Sequence, residues 1–97
     1  MMSKDQAPEI PPEQSLIVYP SAFPIKVMGE HVEEFETAVI AVARQFDPGF
    51  DHTTVERRPS KGGKYLGLTV TITATSRAQL DELYRTLSSH PLVRVVL

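Results

Sequence analysis

The sequence predicts an α+β sandwich in which two helices lie on one face of a four-stranded antiparallel sheet. Three observations carry this reading. Leu66, Leu68, Val70, Ile72 and Ala74 alternate strictly with Gly67, Thr69, Thr71, Thr73 and Thr75, the period of a strand with one buried face. Two other stretches, around Val39 and around Leu83, repeat their apolar residues with helical period. Each of these lies between two strand-like stretches, so the order is strand–helix–strand, twice.

Taken in order, residues 1–15 are polar, proline-broken and without period, and they read as a disordered tail. Pro11-Pro12 favours local polyproline II there. Residues 16–22, where Leu16-Ile17-Val18-Tyr19 is stopped by Pro20, read as an arm on the domain edge. The domain proper is 23–97. Its first strand is Ile25-Lys26-Val27-Met28, ended by Gly29, with Phe23, Ile25 and Val27 on one face.

Phe35, Ala38, Val39, Val42 and Phe46 form a single helical stripe. Glu30, Glu33, Glu34 and Glu36 crowd the first turns, where the helix dipole favours negative charge, and Arg44 suits the other end. Asp47-Pro48-Gly49 stops the helix. Residues 52–58 mix β-branched and charged types and read as an edge strand whose charges discourage foreign pairing. Residues 59–64, with Gly62-Gly63, are a turn by composition. After the Tyr65–Thr75 strand, Ser76 and Gln79 form a capping box. Leu80, Leu83, Tyr84 and Leu87 give the second helical stripe, Pro91 lies past its end, and Val93–Leu97 closes the sheet.

A βαββαβ order in so short a chain points to the ferredoxin-like sandwich. Right-handed crossovers place strands 1 and 3 in the centre, giving the order 4-1-3-2.

The residues also carry a resemblance. Phe23-Pro24-Ile25-Lys26-Val27-Met28-Gly29 resembles the opening strand of the YbeD-like family of small bacterial proteins. Ser60-Lys61-Gly62-Gly63-Lys64-Tyr65 resembles its central hairpin. Tyr84-Arg85-x-Leu87 and Val93-Arg94-Val95-Val96-Leu97 resemble its C-terminal pattern, with Val95 where the family has Met. The resemblance covers about residues 16–97. It implies a ferredoxin-like fold similar to the amino-acid-sensing ACT-type regulatory domains, and it brings no activity and no catalytic residues.

Composition narrows function by exclusion. Ten Lys and Arg against twelve Asp and Glu leave a net charge of −2, which argues against nucleic acid held by bulk charge. The chain has no Cys, so thiolate metal sites, disulfide scaffolds and cysteine nucleophiles are excluded. No apolar run is long enough to span a membrane and no secretory leader is legible, so a cytoplasmic location is expected. Nothing calls for a cofactor.

Four candidate sites remain. His31, with Glu30 and Glu34 nearby, has the residue types of a metal site but lacks ligand number, and reads as a solvated helix start. Arg57, Arg58, Lys61 and Lys64 put four positive charges in and beside one hairpin, a grip for an acidic protein surface or a phosphate, although the P-loop spacing is absent. Gly29, between the first strand and first helix, is where an ACT-like sensor would form a small-ligand pocket. Finally, Lys26, Met28, Thr69, Thr71, Thr73, Arg94 and Val96 are assigned to the outward sheet face, a mixed surface suited to a protein partner or a homodimer contact. RNA recognition by stacking needs aromatics on the central strands, and Thr69, Thr71 and Thr73 offer none. The expected function is a non-enzymatic regulatory or adaptor domain that binds a protein partner. A small-ligand sensor is the alternative, and RNA binding through the basic hairpin is weaker.

Overall fold

A computed structural model describes residues 18–97. The tail at 1–15, and residues 16 and 17 of the arm, lie outside the described residues. Strand β1 is Ser21–Glu30, helix α1 Glu33–Phe46, strand β2 Glu56–Pro59, strand β3 Tyr65–Ala74, helix α2 Arg77–Ser89 and strand β4 Val93–Val96. The strands form one antiparallel sheet in the order β2-β3-β1-β4, the predicted ferredoxin-like arrangement.

The core lies between the sheet and the helices. Every apolar residue of the β3 alternation is buried, as are Ile25 and Val27 of β1. Against them sit Phe35, Val39, Val42 and Ala43 of α1 and Leu80, Leu83 and Leu87 of α2. Fully burying each large side chain contributes about 1.5–3 kcal/mol, so this single layer supplies the main driving force. Ala43 rather than Ala38 completes the α1 stripe; Ala38 stays half-exposed.

Local chemistry moves several boundaries. Ser21 and Ala22, assigned to the arm by sequence, are the first residues of β1, paired with Ala74 and Thr73. Gly29 does not end the strand, which runs through Glu30, so α1 starts at Glu33 with Glu33, Glu34 and Glu36 in its first turn. The edge strand expected at 52–58 is shorter: His52–Thr54 is a one-turn 3-10 helix and β2 begins at Glu56. The reason is Asp51. Its carboxylate accepts from the Thr53 N–H at 2.9 Å and the Thr53 hydroxyl at 2.6 Å. Such local bonds offer the backbone an alternative to the ladder.

The Ser76 cap forms as expected, with the Gln79 N–H donating to Ser76 Oγ at 3.0 Å. The reciprocal bond lands one residue earlier than a capping box places it, from the Thr75 N–H to Gln79 Oε1 at 2.7 Å.

Candidate functional site

The helices cover one face of the sheet, and the other face is the candidate site. Antiparallel partners share a face, so the register sorts the side chains directly. Arg58 on β2 opposes Gly67 on β3, Gly67 opposes Met28 on β1, and Met28 opposes Val95 on β4. The adjoining row runs Glu56, Thr69, Lys26 and Leu97: the first three are register partners, and Lys26 and Leu97 exchange backbone hydrogen bonds of 3.2 and 2.8 Å. At the end of the face Tyr65 opposes Glu30, whose carboxylate is bonded to Arg94.

These rows enclose a shallow concavity of about 400 Å³ whose walls include Lys26, Met28, Arg58, Tyr65, Val95 and Leu97, with Gly67 in its floor. Met28, Val95 and Leu97 give it an apolar end and are 44%, 43% and 72% exposed. Exposed apolar side chains that lie together on one face mark a contact surface. Lys26 stands beside Met28 and Leu97, and Arg58 and Glu56 line the β2 side.

Val96 is not on this face. The outward assignment of Arg94 and Val96 assumes unbroken alternation, but the register shifts opposite Met28 and Gly29: Val95 pairs with Met28 and Val93 with Gly29, leaving Arg94 as the extra residue of a bulge. Val96 therefore packs toward the core and Val95 faces out.

The four hairpin cations are not one patch. Arg57 opposes buried Leu68 and turns to the helix side, where its Nε lies 3.1 Å from a Glu36 carboxylate oxygen. Arg58 belongs to the open face. Lys64 Nζ sits 5.5 Å from the centre of the Tyr65 ring, within cation–π range at the rim. Lys61 is exposed in the turn beside Gly62 and Gly63, whose φ of +88° and +76° suit glycine. That turn is tied to the β1–α1 junction: the His31 N–H donates to the Lys64 carbonyl, and His31 Nδ1 contacts the Gly63 carbonyl, both at 3.0 Å.

Gly29 is buried inside β1 and does not line the concavity. A Cβ there would overlap the Phe35 ring and the Leu92 carbonyl. Its bare backbone is thus filled from the helix side by Phe35. Glu30 has Arg94 as partner and His31 has the Gly63 carbonyl, and among the described residues no group of His, Asp and Glu is placed to hold a metal ion.

Among its aromatic and apolar members, sequence reasoning missed three. Tyr65 has the outward parity of Gly67 and Thr69, so the same alternation reaches it. Leu97 follows from pairing with Lys26. Val95 required the bulge, which no local pattern announces.

The architecture is that of a small ferredoxin-like domain with a helix-covered face and an open one. The chain belongs to the family described as "Protein of unknown function (DUF493)", whose model matches residues 14–97. It is 65% identical over 89 residues to a UPF0250 protein of Leptothrix cholodnii, covering 92% of this chain and 98% of that one. A UPF0250 protein of Bordetella pertussis is also 65% identical, over 91% of this chain and 97% of its own. The relative in Ralstonia nicotianae is 54% identical over the full length of both chains. Two solution structures share the fold at low identity. Protein HP0495 of H. pylori matches with a TM-score of 0.66 and 16% identity, covering 91% of this chain and 94% of that one. The C-terminal domain of the MgtC protein of Mycobacterium tuberculosis matches with a TM-score of 0.63 and 19% identity, over 84% of this chain and 88% of that one. Among the described residues no helix is long and apolar enough to cross a membrane.

Proposed function

We propose that this chain is a non-enzymatic regulatory or adaptor domain that takes up a protein partner on the open face of its sheet. One observation carries the reading: Met28, Val95 and Leu97 are exposed together on the β1–β4 side of the concavity, with Lys26 beside them and Arg58 across from them on β2. Exposed apolar side chains bordered by polar and charged ones suit a protein contact. The basic hairpin contributes through Arg58 and, at the rim, Lys64, while Arg57 belongs to the other side of the sheet.

The test is site-specific photo-crosslinking in cells. A photoreactive side chain at Thr71, on the open face, is expected to give a discrete protein adduct that Met28→Asp abolishes. The same group at Ala41, on the exposed side of α1, is expected to give none. Equal adducts at both positions, or none at Thr71, would reject the open face.

A small-ligand sensor is the second reading, favoured by the size of the concavity. Its volume of about 400 Å³ falls within the range of small-molecule pockets. A sensor retains its ligand through gentle purification and gains thermal stability from it. Native mass spectrometry separates the two readings: an added small-molecule mass supports the sensor, an added protein mass the adaptor.

A further inference from the structure

The two glycines of the central strands are glycine for different reasons. At Gly29 the fold demands it, because any side chain would collide with Phe35 and Leu92. At Gly67 the fold makes no such demand. A Cβ there would meet only the Arg58 carbonyl oxygen, at 3.5 Å, an ordinary van der Waals contact. Its backbone is regular antiparallel strand, paired with Arg58 on one side and Met28 on the other. A glycine inside a strand weakens it and has no side chain to pack, and one common reason for it is close approach of another molecule.

The surroundings of Gly67 fit that reason. Tyr65 and Thr69 stand before and after it on the same face, and Arg58 and Met28 stand on either side. Four side chains therefore ring a floor of bare backbone. Two features of the ring state what would sit there. Met28 and the Tyr65 ring offer apolar contact. Among the side chains of this face, Lys26, Arg58 and rim residue Lys64 outnumber Glu56, since the charges of Glu30 and Arg94 are spent on each other.

We infer that Gly67 is the seat for an apolar side chain of an extended protein segment, with acidic residues flanking that side chain to meet Lys26 and Arg58. In an extended segment alternate residues face the sheet, so the acidic groups belong at the alternate positions on either side. The inference rests on the open-face reading and adds to it the seat and the chemistry of the partner.

The experiment is selection of a phage-displayed random linear peptide library on the full chain. The selected peptides are then titrated against wild type, Gly67→Ala, Gly67→Val and Met28→Asp. Selected peptides are expected to share an apolar residue with Asp or Glu at alternate positions, and to lose affinity as salt is raised. Gly67→Ala is expected to weaken binding, and Gly67→Val to weaken it by roughly tenfold or more, with neither variant melting below wild type. Peptides that bind Gly67→Val as well as wild type overturn the seat. If they still fail on Met28→Asp, the open face survives without it; if they bind Met28→Asp too, both readings fall. Peptides without acidic residues overturn the stated chemistry, and a library that yields no binder overturns the inference. If Gly67→Val melts below wild type, Gly67→Ala decides, and a loss smaller than roughly threefold overturns the seat.

Discussion

Asp47 and Gln79 hold the same residue from two helix termini. The Thr73 N–H donates to Asp47 Oδ2 at 2.9 Å, and the Thr73 carbonyl accepts from Gln79 Nε2 at 3.2 Å. Their position explains the arrangement. β2 pairs with β3 only from Leu66 to Thr69, so among the described residues the edge of β3 beyond Thr69 has no strand beside it. An unpaired backbone edge is costly when dry and a template for foreign strands when wet. Two side chains replace the missing strand at Thr73. Gln79 also donates to the Phe46 carbonyl at 2.9 Å, so the end of α1, the end of β3 and the start of α2 meet on one amide.

Replacing that amide should be costly for a half-exposed residue. Gln79→Ala removes the bonds to Phe46, Thr73 and Thr75 together, and we expect a loss of about 1–2 kcal/mol, water restoring part of the rest. Asp47→Ala should cost less, roughly 1 kcal/mol, from the bonds to Thr73 and Gly49. Because both act on Thr73, the double variant should deviate from additivity by a measurable amount. Urea denaturation of the four proteins checks this, and strict additivity would mean that the two side chains act independently.

The faces of β3 give a sharper contrast. Val70 is 1% exposed in the core, whereas Thr71 points to the open face. Val70→Asp buries a carboxylate without a partner and is expected to unfold the domain. Thr71→Asp should be tolerated within about 0.5–1 kcal/mol. Circular dichroism melts rank the two directly, and the reverse order would reassign the faces.

These contrasts also show what the sequence could and could not disclose. The β3 alternation and the α2 stripe are local patterns, each set by a few adjacent residues, and each is found in the structure as read; the Ser76 cap forms too, with its reciprocal bond moved to the Thr75 N–H. The strand order follows from crossover handedness and needs no further information. What was not legible depends on contacts between distant segments or on a local competition. Asp51 drew His52–Thr54 out of the edge strand through a side-chain bond that composition does not weigh against β-propensity. The bulge at Arg94 inverted the parity of Val95 and Val96. Arg57 and Arg58 were grouped because they are adjacent, although adjacency in a strand places them on opposite faces. Alternation puts Gly29 on the buried face and Gly67 on the open one, but that the first leaves no room for a Cβ depends on Phe35 and Leu92, packed from elsewhere in the chain.

Those two glycines should respond to alanine with opposite sign. Gly29→Ala forces Phe35 and the Leu92 backbone to move, an overpacking cost of roughly 1–3 kcal/mol. Gly67→Ala meets no obstacle and removes unfolded-chain entropy, so it should stabilise by up to about 0.5–1 kcal/mol. At this chain length each kcal/mol corresponds to about 4–8 °C in Tm, so differential scanning calorimetry resolves both. If both variants melt lower, the strand at Gly67 is under a constraint other than space.

Acid stability should carry a small signature of Asp51. The Thr53 hydroxyl and then the Thr53 N–H hold its carboxyl below the ordinary value of 3.8. A folded-state value below the unfolded one contributes stability that is present above the unfolded value and is lost as pH falls through the folded one. The Tm advantage of wild type over Asp51→Asn should therefore be constant down to about pH 5 and shrink progressively below that. An advantage unchanged down to about pH 2.5 would show that the carboxylate charge contributes nothing.

Arg57 and Arg58, adjacent in sequence, should separate into different assays. Arg57→Glu sets a carboxylate against Glu36 on α1 and should lower stability by about 0.5–1 kcal/mol, the scale of an exposed ion pair. It should leave the Thr71 photo-adduct intact, because its side chain lies across the sheet from the open face. Arg58→Glu should do the converse. It breaks no bridge to α1 and leaves the melting temperature near that of wild type, but it places a negative charge beside Gly67 and weakens uptake of an acidic segment. Each variant is scored by a thermal melt and by adduct yield. Equal loss of adduct in both would mean that the two cations act as one basic patch, and would undo the division of the hairpin between the two faces.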